Sequence, residues 1–155
     1  MKPTEYLFEL INKSNISLLG YTTKEERIKD EIISKVSHIE LPGINSSFSI
    51  LSYIRDSKID TILDNRKITP THFLLDINSI DHSLKKIAVE LIDTNFKLLI
   101  TCPIYNSMGN NEYNFSGGNT GLYMADFVGI IRDSKIIIMK TRYGGSKIDI
   151  KYDSK

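Results

Sequence analysis

The chain has 155 residues, a quarter of them charged, and its 20 Lys and Arg against 19 Asp and Glu leave a formal net charge of +1. That balance excludes a global basic field for nucleic acid or an anionic membrane, although a local patch could still grip either. The single Cys102 excludes an internal disulfide or a cysteine-rich zinc site and fits a reducing cytosol, and no apolar run approaches the roughly 20 residues of a membrane span. With no signal-peptide core at the N-terminus, the sequence reads as one cytoplasmic domain over residues 1–155.

In chain order, residues 3–12 read as a short helix with Pro3 in its first turn and Tyr6, Leu7, Leu10 and Ile11 as its apolar stripe. Residues 16–19 form a compact apolar strand ended by Gly20. Thr22 or Thr23 then caps a charged helix with acids early and Ile28, Ile32, Ile33 and Val36 at helical spacing. Residues 38–41 suggest a brief strand before the Pro42-Gly43 turn, and Ser46 or Ser47 opens a further helix that runs out near Asn65. His72-Phe-Leu-Leu-Asp76-Ile is an almost wholly apolar strand with an acid near its end. Asp81 caps the most regular helix, with Leu84, Ile87, Ala88, Leu91 and Ile92 on one face.

Residues 96–100 read as a strand buried on both faces, and 106–119, rich in Gly, Asn and Ser, as a long mobile loop. Two apolar runs, 127–131 and 136–139, flank a polar turn at 132–135 and predict an antiparallel hairpin. Its second strand alternates, so Lys140 and Arg142 leave one face of the sheet, suited either to an anion or to a solvated, charge-protected edge. Residues 147–152 alternate as a last edge strand. Strands alternating with helices predict an α/β fold with a mainly parallel sheet and a C-terminal antiparallel hairpin.

Several of these segments together resemble the RecA-like ATPase core of DnaB-type replicative helicases and KaiC-like proteins. Thr71-His-Phe-Leu-Leu-Asp76 is similar to the Walker B strand, and residues 97–102 fall where that fold carries its next strand. The Gly117-Gly118 turn followed by Ala125-Asp126, and Lys140-Thr-Arg142-Tyr-Gly, resemble the family's "A-D-hydrophobic" passage and its K-x-R-x-G hairpin. The resemblance implies a three-layer RecA-like sandwich in which Lys140 and Arg142 reach a neighbouring subunit's nucleotide, Arg142 as a finger. It also implies Mg²⁺ near Asp76.

The departures set the functional expectation. No G-x-x-x-x-G-K-[ST] occurs, so the phosphate cradle is absent and the first, P-loop strand is expected to be missing, as though the fold were entered after it. Gly20-Tyr21-Thr22 stands where a catalytic glutamate is expected, and Cys102-Pro103 where a nucleotide-sensing Gln or His is expected. The reading is therefore a degenerate domain with no catalysis in cis, binding a related ATPase or helicase or another protein in DNA replication or recombination. ATP and Mg²⁺ would enter only with that partner. Two alternatives stand beside it: Arg142 and Lys140 act in trans in a mixed ATPase ring, worth about 10³ to 10⁵ in rate for an arginine finger, or the chain binds single-stranded DNA.

In the DNA reading, Tyr113 and Phe115 stack on bases while Lys140 and Arg142 meet phosphates, although no Lys or Arg lies between Cys102 and Arg132. Asp76 reads either as a weak nucleotide or metal ligand or as a strand-end turn residue. His38, His72 and His82 are too dispersed for a metal motif, and Cys102 lacks a local base and reads as a buried, inert thiol.

Overall fold

The computed structural model describes residues 3–40, 52, 72–76, 89–90, 96–106, 113–115, 124–141 and 148–151. Helix α1 (Pro3–Lys13) buries Leu7, Leu10 and Ile11, three positions on one helical face. Strand β1 (Ile16–Tyr21) follows and continues through Gly20, because Gly20 pairs with Cys102 on one side and Ile130 on the other. A 3₁₀ turn, Thr23–Glu25, closes with Glu25 N donating to Thr22 O at 2.9 Å and leads into helix α2 (Glu26–Ser34). Then come β2 (His38–Glu40), β3 (His72–Asp76), β4 (Lys97–Asn106), β5 (Tyr113–Phe115), β6 (Phe127–Arg132), β7 (Lys135–Thr141) and β8 (Ile148–Lys151). The helices expected over 46–65 and 81–92 lie, apart from residues 52, 89 and 90, outside the described residues.

All the described strands join one sheet in the order β2-β3-β4-β1-β6-β7-β8, with β5 paired to β4. Neighbours from β2 to β6 are parallel, and β7 and β8 add an antiparallel edge. The fold is thus α/β with a mainly parallel sheet and a C-terminal hairpin. β1 holds the centre, with β4 and β6 hydrogen-bonded along both its edges. Both edges of β1 are thus occupied by described strands.

Residues sharing a face follow from the register. Leu19, Tyr21, Leu74, Leu99, Phe127, Ile131, Ile136 and Ile138 line one face and form a single buried cluster with the apolar sides of α1 and α2. The opposite face, with Leu18, Phe73, Leu75, Leu98, Ile100, Cys102, Val128 and Ile130, is buried as well. Strands covered on both sides are expected to read as continuous apolar runs rather than alternating ones, as 72–75 and 98–100 do.

The loop expected over 106–119 contains a strand. β4 continues beyond the ends of its neighbours, and its Ile104–Asn106 edge pairs antiparallel with β5 instead of standing open. The β6–β7 turn places Asp133 (φ 52°) and Ser134 (φ 59°) in the left-handed region, the geometry that lets a two-residue turn follow the strand twist. A bulge between Val128 and Gly129 leaves Met139 unpaired and sets Lys140 opposite Val128. Packing is close here: a Cβ on Gly129 would lie 3.0 Å from Cζ of Phe127 and 3.3 Å from Cδ2 of Leu19, so a larger residue needs both side chains to shift.

His72, fully buried, shares its Nε2 with the Ile11 carbonyl at 3.2 Å and so ties β3 to α1. Burial, reinforced by the charges of Lys97 and His38 and opposed by the Ile11 bond, holds its pKa below the ordinary histidine value. The folded chain therefore refuses a proton that the unfolded chain accepts. This contribution to stability is complete above the unfolded value near 6.5, falls as pH drops through it, and levels off below the folded pKa. In urea titrations between pH 5 and 7, wild type should lose stability by at most about 1.4 kcal/mol per pH unit more than His72→Gln. Parallel pH profiles would contradict it.

Candidate functional site

The strand order creates a crevice. From β1 the chain leaves through α2 to β2 at the far edge, whereas β6 lies on the opposite side of β1 from β4. Connections that depart in opposite directions leave a gap at the carboxyl ends of parallel strands, the usual place for a ligand in an open α/β sheet. A cleft of about 270 Å³ lies at this end, lined by Lys29, Asp30 and Ile33 of α2 with Glu40, Leu74, Asp76 and Thr101 of β2, β3 and β4.

Register explains why these side chains converge. Glu40 pairs with Leu74 and Asp76 with Thr101, while Leu74 and Asp76 are two residues apart, so all four sit on the face that α2 covers. Thr101 Oγ1 donates to Asp76 Oδ1 at 2.9 Å and orients the carboxylate. Lys29 is buried, its Nζ donating to Asp30 Oδ1 at 2.9 Å and standing 4.7 Å from the centre of the Tyr21 ring.

Burial is the largest influence on Lys29 and works to discharge it. The Asp30 hydrogen bond and the fields of Tyr21 and Asp76 outweigh it, and the ammonium is held above the usual lysine range. Burial first, then the Asp76 charge, pushes the Tyr21 hydroxyl up, with Lys29 opposing.

Of the residues singled out from sequence, Asp76 is in this cleft and Lys140 is not. Lys140 lies on β7, four strand spacings from β3, or about 19 Å. The bulge also pairs it with Val128, on the face away from Asp76, so its expected place on the alternation of β7 is reset. Arg142 lies outside the described residues, so a shared face for the two cations is not described. Tyr113 and Phe115 belong to β5, beside the far end of β4, whereas Lys140 is level with the start of β6. The DNA-binding set is therefore not gathered into one patch by its described backbone. Cys102 is buried, and among the described residues no three His, Cys, Asp or Glu side chains are grouped as metal ligands. No described helix is long and apolar enough to cross a membrane.

Sequence reasoning missed Glu40, Lys29 and Thr101. Glu40 could have been noticed as the last charged residue before Leu41 and the Pro42-Gly43 turn, where a strand must end. Lys29 precedes Ile32 by three and Ile33 by four, which puts it on the buried stripe of α2 despite its charge. Thr101 gave no signal beyond closing an apolar run. No protein-family model matches the chain, and no curated protein is significantly similar to it.

Proposed function

We propose that the chain is a RecA-like domain without nucleotide hydrolysis of its own, acting by binding a related ATPase or another protein in DNA replication or recombination. The observation that carries this reading is the connection from β1 to α2. In a P-loop protein that connection wraps phosphates with free backbone N–H groups. Here Thr22 N donates to Ile131 O at 3.4 Å and Glu25 N to Thr22 O at 2.9 Å, so these donors are spent inside the protein. Glu25 and Glu26 add negative charge where phosphate would come.

The central position of β1 supports reading it as the first strand of the family, with α2 as the helix after it. β2 then becomes the strand on which helicases carry the catalytic glutamate, and it ends in Glu40, next to the Walker-B-like β3 with Asp76. On this alignment two carboxylates of the ancestral site remain while the phosphate cradle is gone. Lys140, set well away from Asp76, would act on a neighbour and not on its own cleft.

The test is to measure ATP turnover by the purified chain, alone and mixed with a DnaB-type P-loop ATPase. Turnover by the chain alone should stay at the buffer rate, and the two proteins should co-elute. Hydrolysis by the isolated chain that disappears in Asp76→Ala would refute the reading. Stimulation of the partner that is lost in Arg142→Ala would assign the chain the trans-acting role.

A further inference from the structure

We draw no further inference here: the strongest candidate, the side-chain row of His38, His72 and Lys97 across the amino ends of β2, β3 and β4, where His72 and Lys97 meet the last carbonyls of α1, restates the pH dependence of stability already derived for His72 and beyond that rests on a shifted pKa alone.

Discussion

Asp126→Ala should lower the unfolding free energy by about 3 kcal/mol, with an unchanged urea m-value. Asp126 is 4% exposed, and its Oδ2 accepts from Asn15 N at 3.0 Å and Ile16 N at 3.4 Å. Its own N–H donates to Ile16 O at 2.8 Å, while Leu98 N donates to Asn15 O at 2.9 Å. The carboxylate thus fixes the start of β1 beside β6 at the amino end of the sheet, while the Leu98 bond ties the same point to β4. Alanine leaves two part-buried donors without their acceptor, and a charged acceptor is worth more than a neutral one. Asp126→Asn keeps one carbonyl oxygen and should lose about half as much. Equal stability of wild type and alanine variant in urea would show that water replaces the carboxylate. The Ala125-Asp126 passage that looked like a family signature therefore has a sufficient local reason, the anchoring of β1.

The parts of the fold legible in the sequence are those that local chemistry decides. Apolar blocks at 16–19, 72–75 and 97–100 became strands because a sheet covered on both faces needs them apolar. The hairpin over 127–141 followed from two such blocks around Arg132-Asp-Ser-Lys135. What stayed hidden depends on pairing between distant segments. Nothing local to Ile16–Tyr21 says that it is flanked by both β4 and β6, and the placement of Glu40 beside Asp76 follows from that order. The extra residue at Met139 likewise leaves no trace in composition, yet it decides which face Lys140 takes. Lys29 was masked by its charge: a lysine in a run of Lys, Glu and Asp suggests solvent, and only the position of Asp76 and Tyr21 makes its burial affordable.

The wall that makes that burial possible can be removed in one step. Tyr21→Ala should cost about 4 kcal/mol, the range for deleting a buried aromatic ring, with the lost cation–π contact included. Tyr21 is 4% exposed in the cluster shared by β1, α1 and α2, and its ring is the surface beneath the Lys29 ammonium. Tyr21→Phe separates the ring from the hydroxyl. It should stay within about 1 kcal/mol of wild type at neutral pH, since the filled volume and the π face remain.

At alkaline pH the two should differ, with a sign fixed by the raised pKa of Tyr21. The folded protein keeps the hydroxyl neutral, whereas the unfolded chain ionises near the ordinary value of 10.0. The stabilising contribution is thus complete below that value and is lost as pH rises through the folded pKa. Urea titrations from pH 8 to 11 should show wild type losing stability more steeply than Tyr21→Phe. If the phenylalanine variant matches the alanine variant at neutral pH, the hydroxyl and not the ring holds this wall together, and the packing account of the Lys29 site is wrong.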